Sequence, residues 1–334
     1  MNTEHVEGHY PFLTVAVCTF NRSERLKCCL GSLAEQSMDP ASFEVIIIDN
    51  NSTDDTSRVV EEFVSEYPHF RVVSEPQQGL SHARNRGFRE ARGTYVAYID
   101  DDAEAFPGWI EEIVLFVGRN PDVAMFGGPH EALVIEPVPT WFPPECCAMD
   151  LGSEERPLNL QTEFIAGMNM IIRKDLLLST GGFNPDLGMV GAKVYYGEET
   201  KLQLDLKTMG HETYYVPKIK VRHYVSPKKM SLVWLLKAVY AVGRCSTLVH
   251  DRNRGLFGHI AGICYGGFHV LKSPCKYGNI PLRRLLFYGL SPLVSEIGAF
   301  HDYLSSRTNI SNREAEAASC SSVSKEKDKK GATG

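Results

Sequence analysis

The sequence predicts an α/β fold with a mostly parallel sheet flanked by helices, followed by a helical extension. Three observations carry this. Apolar, β-branched runs alternate with segments of helical period through the first hundred residues. Polar and acidic clusters recur where those runs end, and beyond residue 225 the pattern turns basic and helical.

Residues 12–20 (FLTVAVCTF) are β-branched and aromatic between polar ends and read as a buried strand. Leu26, Leu30 and Leu33 follow at helical spacing, with Ser23 placed to cap that helix. Strand 43–48 (FEVIII) leads through DNNSTDDT to a helix carrying Val59, Val60, Phe63 and Val64. Strand 70–74 leads through EPQQG to a helix over 80–91, and strand 94–99 follows Gly93. Strands separated by such helices need crossovers, which leave neighbouring strands parallel. Ligands of these sheets bind outside the carboxyl ends of the strands. That rule singles out Thr19 to Arg22, Asp49 to Asp54, and Asp100 to Asp102.

After residue 120 the periodicity loosens. Pro-rich 135–144 reads as a loop, 164–173 (FIAGMNMIIR) as a strand with a glycine kink, and 196–210 as a helix opening with acids. Residues 229–304 read as amphipathic helices broken by Gly and Pro, and from Ser305 the near absence of apolar residues predicts a disordered tail. The expected organisation is one domain over 10–225 with halves over 10–102 and 103–225, then a basic helical extension over 226–304 and a tail over 305–334.

Composition narrows the classes. With 334 residues, 43% hydrophobic and 23% charged, the chain has ample material for a core and is not globally disordered. Its net charge of −6 is an average over unlike segments. Residues 1–217 carry 16 Lys/Arg against 34 Asp/Glu, whereas 218–284 carry 13 against the single acid Asp251. A basic stretch of that kind faces something anionic. The nine cysteines include the adjacent pairs Cys28-Cys29 and Cys146-Cys147 and form no CxxC knuckle, which favours a reducing compartment. The start, MNTEHVEGHYPF, lacks a secretory leader's pattern. The longest apolar runs, 231–243 and 256–271, are interrupted by Lys237 and by His259 and His269, so surface attachment is favoured over spanning. The expected location is cytoplasmic, peripheral on the inner face of the cell membrane.

Asp100-Asp101-Asp102 follows the apolar run TYVAYI. Residues two apart in an extended segment share a side, so Asp100 and Asp102 converge on one ligand, and carboxylates suit Mg²⁺ or Mn²⁺. An isolated acidic triplet is as often a solvated turn; the strand-end position tips the balance toward a site. Asp49 ends IIIDNNSTDD, where it either bonds a base or ribose or belongs to a turn.

Taken together, TFNR at 19–22, IIIDNNSTDD, GLSHARNRGFREARGTYVAYIDDD, AGMNMIIR with GGFNPDLG, GEETKLQLDLKTMG and VRHY closely resemble family-2 glycosyltransferases of the GT-A fold, over about residues 12–225. The resemblance implies a nucleotide-sugar site on Thr19, Asn21, Arg22, Asp49, Arg84, Asp100 and Asp101. It implies a metal, Mn²⁺ or Mg²⁺, on Asp102 with Asp100 and His223, and an acceptor loop at Gly167 and Asn169. It places the catalytic base on Glu199 with Glu198 adjacent; Glu stands where the family more usually has Asp. A helix start lowers a carboxylate pKa while burial raises it, and sequence does not rank the two.

The implied activity is metal-dependent, non-processive transfer of one sugar from a nucleotide diphosphate donor, UDP-sugar first, to an acceptor hydroxyl with inversion. The product would enter a cell-surface polysaccharide, glycan or glycolipid, and the acceptor would be a glycan or a lipid-linked sugar. The alternative from another class is an inactive sugar-nucleotide or glycan-binding subunit. A dehydrogenase is disfavoured because CTFNRSE replaces a GxGxxG turn, and no nucleic-acid module is present. The basic segment has three readings: an anionic membrane contact through Trp234, Leu235, Leu236 and Phe257 with Lys228, Lys229, Lys237, Arg252 and Arg254 at headgroup level, a contact with a diphosphate-linked lipid acceptor or the donor pyrophosphate, or a helical cap on the acidic domain.

Overall fold

The computed structural model describes residues 13–191, 193–250, 254–277 and 280–305. The expected tail from 306, the domain start at 10–12 and Arg252 lie outside the described residues. In chain order the elements are β1 (Leu13–Thr19), α1 (Ser23–Ala34), β2 (Phe43–Asp49), α2 (Thr56–Glu66), β3 (Phe70–Ser74), α3 (Leu80–Glu90), β4 (Tyr95–Asp100), β5 (Ala103–Ala105), α4 (Trp109–Arg119), β6 (Met125–Gly127), β7 (His130–Leu133), β8 (Arg156–Pro157), β9 (Met170–Arg173), α5 (Lys174–Thr180), α6 (Glu198–Thr208), β10 (Thr213–Tyr215), β11 (Val221–Tyr224), α7 (Leu232–His250) and α8 (Leu256–Tyr277). A further helix spans 282–305.

The main sheet runs β3-β2-β1-β4-β9-β6-β10-β8. Its first four strands are parallel, as the alternating pattern predicts. Every residue of β1 is buried, and so is every residue of β2 but Asp49, because helices cover both faces. One core collects Val15, Val17, Val45 and Ile47 with Leu26, Leu30 and Val60; the opposite one collects Ala16, Ile46 and Ile48 with Ala83 and Phe88. Beyond β4 the direction changes: β9 lies antiparallel to both β4 and β6. A smaller sheet, β5-β11-β7, stands beside the end of β4.

Two local expectations are corrected. Ser23 does not cap α1; it sits in the first turn and its N–H donates to Asp54 Oδ2 at 3.2 Å, so the cap is borrowed from the next loop. The strand expected over 164–173 is shorter, since Gly167–Asn169 form a 3₁₀ turn ahead of β9. Asn169 explains that turn. Its buried side chain donates to the carbonyls of Ile219 (2.7 Å) and Pro129 (3.2 Å) and accepts from Trp109 Nε1 (3.0 Å), tying three segments together.

The chain divides into two compact units. One runs to Leu235 and includes Ile280–Arg284; the other comprises Leu236–Asn279 and residues from Leu285. The division thus falls beyond the expected 225. Among the described residues α7 is long and apolar enough, by length and composition, to cross a membrane, although Lys237 and Arg244 interrupt it. Within the second unit, helices approach through small residues. A Cβ on Gly243 would lie 2.0 Å from the Ser295 carbonyl oxygen, one on Gly298 2.2 Å from that of Tyr240, and one on Gly266 2.6 Å from Leu293 Cα.

Asn169→Ala removes one acceptor and two donors from buried partners. It is expected to lower unfolding free energy by roughly 3 kcal/mol, read by urea denaturation.

Candidate active site

Register aligns the strand ends into one rim. Thr19 pairs with Asp49, Cys18 with Asp100, and Asp49 with Ser74. Two loops leave this rim with left-handed asparagines, Asn21 (φ 53°) and Asn51 (φ 73°), a conformation that Asn tolerates better than most residues. The loops are stitched together: Asn21 N–H donates to Ser52 Oγ (3.0 Å), Thr53 N–H to Asn21 Oδ1 (2.7 Å) and Ser52 N–H to Asp49 Oδ1 (3.0 Å). The side chains of Asn21 and Asp49 therefore shape the rim as well as facing it.

The acidic triplet divides into roles. Asp100 is partly open, while Asp101 and Asp102 are buried. The small sheet brings His223 to them: it pairs with Ala103, and Tyr224 N–H donates to the Asp102 carbonyl at 2.8 Å. His223 Nε2 then lies 3.2 Å from Asp102 Oδ1. Ligand atoms of Asp100, Asp102 and His223 all fall within 4.8 Å of one another. Two hard carboxylates and an imidazole fit a divalent ion such as Mn²⁺ or Mg²⁺.

Two further cations grip Asp102. Arg22 Nη1 donates to Oδ2 and lies 3.5 Å from Asp101, and Lys229 Nζ lies 4.0 Å from the same Oδ2. Burial alone would raise the Asp102 pKa. The His223 hydrogen bond and the charges of His223, Arg22 and Lys229 outweigh it and hold the carboxyl well below its usual range. Burial pushes Asp101 the other way, against the pull of Arg22. Lys229 escaped the sequence reading, which sent it to a lipid surface. His130, whose ring centre lies 6.1 Å from that of His223, was also missed; burial and the neighbouring His223 charge lower its pKa to about 4.

Arg84 joins the two acidic groups. From α3 its guanidinium, only 3% exposed, donates to Glu198 Oε1 (2.6 Å) and Asp100 Oδ1 (3.2 Å). Burial opposes its charge, but Glu198, Asp100 and Glu199 more than restore it. Gly167 makes room: a Cβ there would lie 2.5 Å from Arg84 Nη2. Gly167, expected in an acceptor loop, packs against this arginine, and the buried side chain of Asn169, expected in the same loop, makes the internal clamp described above.

Glu198 and Glu199 open α6 after left-handed Gly197 (φ 95°). The competition left open by sequence resolves here. Burial first, then the Glu198 charge, raises Glu199 to about 8, against the opposing pull of Arg84.

A parallel strand-end rim carrying an Asp-Asp-His cluster places the protein with the glycosyltransferases of the GT-A fold. Comparison with known proteins reaches the same class. Residues 14–177, just under half of the chain, match the family model described as Glycosyl transferase family 2. The chain is 27% identical over 230 residues to the glucosyl-dolichyl phosphate glucuronosyltransferase of Haloferax volcanii, covering 67% of this chain and 72% of that one. Glycosyltransferase AglE of the same organism is 29% identical over 119 residues, 35% of this chain and 39% of the relative. Among solved structures, the mannosyltransferase PcManGT of Pyrobaculum calidifontis, in complex with GDP-Man and Mn²⁺, superposes with a TM-score of 0.60 at 17% identity, over 89% of this chain and 88% of that one.

Gly167→Ala is expected to evict Arg84 from its two carboxylates and to cost on the order of 3 kcal/mol of stability, since it breaks a buried ion pair. In an Arg84→Met background the same substitution should cost far less, a coupling that a double-mutant cycle in urea reads directly.

Proposed function

We propose that the protein moves one sugar from a nucleotide diphosphate sugar, UDP-sugar first, to an acceptor hydroxyl with inversion at the anomeric carbon. The observation that carries this is the pair of acidic centres bridged by Arg84, with one carboxyl, Glu199, tuned toward neutrality. A general base works best with a pKa near the operating pH. Glu198 is committed to Arg84, so Glu199 removes the acceptor proton while attack proceeds in line. A single base with no second carboxylate placed as nucleophile fits inversion through an oxocarbenium-like transition state.

Thr19, Asn21 and Asp49 line the nucleotide side of the rim. Asp100, Asp102 and His223 would hold Mn²⁺ or Mg²⁺, which when bound stabilises negative charge on the departing diphosphate. Arg22 and Lys229 stand at the same carboxylate and supply cationic donors for phosphate oxygens. Arg84 acts as a positioning residue, holding Asp100 and Glu198 in fixed relation.

The acceptor we propose is a lipid-linked sugar or glycan in cell-surface glycan synthesis, met at an anionic membrane surface on its cytoplasmic side. A relative named for glucosyl-dolichyl phosphate supports the lipid link, and the surplus of cations in 218–284 supports the surface.

Glu199→Gln is expected to lower donor turnover by about 10²–10⁴-fold, and Asp102→Ala to abolish Mn²⁺-dependent stabilisation by UDP in thermal-shift assays. Equal hydrolysis of UDP-sugar by both variants and the wild type would sink the assignment; a shift with GDP or dTDP in place of UDP would reassign the donor. For pH, kcat/KM is expected to rise with a midpoint near pH 8 as Glu199 ionises and to level above it, and to lose that limb in Glu199→Gln. Stability should do the reverse. The folded pKa lies above the ordinary 4.5, so the native state holds the proton more tightly and loses stability as pH climbs from about 4.5 to about 8.

A further inference from the structure

We propose that the outward face of α8 rests in the hydrocarbon of a phospholipid bilayer, its axis in the membrane plane and a row of cations at the phosphates. This deepens the membrane part of the function proposed above and rests on that part, not on the sugar chemistry.

Burial along α8 is inverted relative to a soluble helix. The buried positions are His259, Gly262, Gly266 and Ser273, small or polar. The large apolar residues face outward: Phe257 is 85% exposed, Leu271 78%, Phe268 53% and Ile260 44%. With Cys264, also exposed, they follow steps of three and four residues and so form one continuous stripe. Small residues inside and large apolar ones outside is how helices pack when their surroundings are as apolar as their side chains. The inner face is already satisfied by protein. Gly266 abuts the Leu293 backbone, and beside Gly262 Arg254 pairs with Glu296 at 3.0 Å.

The cations select lipid as the occupant. Tyr265, Lys272 and Lys276, all exposed, lie seven and four residues apart along one flank of the stripe. With Phe268 and His269 they line a cavity of about 570 Å³, and Lys272 Nζ lies 4.5 Å from the centre of the Phe268 ring. An apolar body with tyrosine and lysine along its edge is the chemistry of the headgroup boundary. A second copy fits poorly: α8 contains no acid, so two such faces paired about a two-fold axis would bring cations against cations.

The test uses the full-length chain and flotation with vesicles of phosphatidylcholine, alone or mixed with phosphatidylglycerol. Wild type is expected to float, more strongly with the anionic lipid. Combined Phe257→Ser, Phe268→Ser and Leu271→Ser should weaken binding to both vesicles by roughly tenfold or more, while Lys272→Gln with Lys276→Gln should remove mainly the anionic preference. Tryptophan fluorescence of Phe268→Trp should shift to the blue on vesicles and be quenched by brominated acyl chains. UDP-sugar hydrolysis in detergent should be unchanged in the serine variant, which separates failure here from failure of the transfer reading. Flotation of the serine variant equal to wild type overturns the proposal. So does a soluble wild-type dimer that ignores vesicles and dissociates on the serine substitutions.

Discussion

The buried guanidinium of Arg84 is the interaction on which the site depends. A charge this deep persists only when paired, and its partners are Glu198 at the start of α6 and Asp100 at the end of β4. Those elements are a hundred residues apart in the chain and share no strand pairing. One cation therefore sets the distance between the acids proposed to hold a metal and the carboxyl proposed to take a proton. Its space is carved by Gly167, which the Asn169 clamp and the 3₁₀ turn keep in place. Glu199 carries its raised pKa in the same arrangement, through burial first and then the Glu198 charge, against the pull of Arg84.

Much of this was legible in the sequence, and for identifiable reasons. Strand–helix alternation is a local signal, so the four parallel strands and α1 to α3 lie where the periodicity places them. The rim at Thr19, Asp49 and Asp100 follows from a rule about strand ends, and the family resemblance pointed to Arg84, His223 and Glu199, of which the structure brings Arg84 to Asp100 and His223 to Asp102. What stayed hidden depends on partners distant in sequence. Nothing near Gly167 announces an arginine from α3, nor anything near Ser23 that Asp54 will cap the helix. Antiparallel β9 was hidden for a related reason, since four residues hold no record of direction.

The charge division reads differently in three dimensions. Part of the basic excess is consumed inside the first unit: Lys229 at Asp102, Lys218 at Glu112, Arg222 over the Phe106 ring, and Arg284 on the carbonyls of Thr140, Trp141 and Phe142. Leu235, expected to insert in lipid, is buried. Pairing within the first unit thus accounts for some of these cations, while Lys228, Lys237, Lys272 and Lys276 stay exposed, the last two on α8.

The cations around Asp102 give the site the character of an ion exchanger. Three acids held side by side with nothing to offset them would repel one another and tax the fold. Arg22 and Lys229 offset that repulsion beforehand, and His223 stands at hydrogen-bond distance from Asp102. On the proposed function, a divalent ion held by Asp100, Asp102 and His223 would take the place of an incumbent cation, so its net gain would be the difference between two cations' hold on one carboxylate. The arginine and lysine it released would stand within reach of a donor diphosphate, and ion and donor would then favour each other's binding.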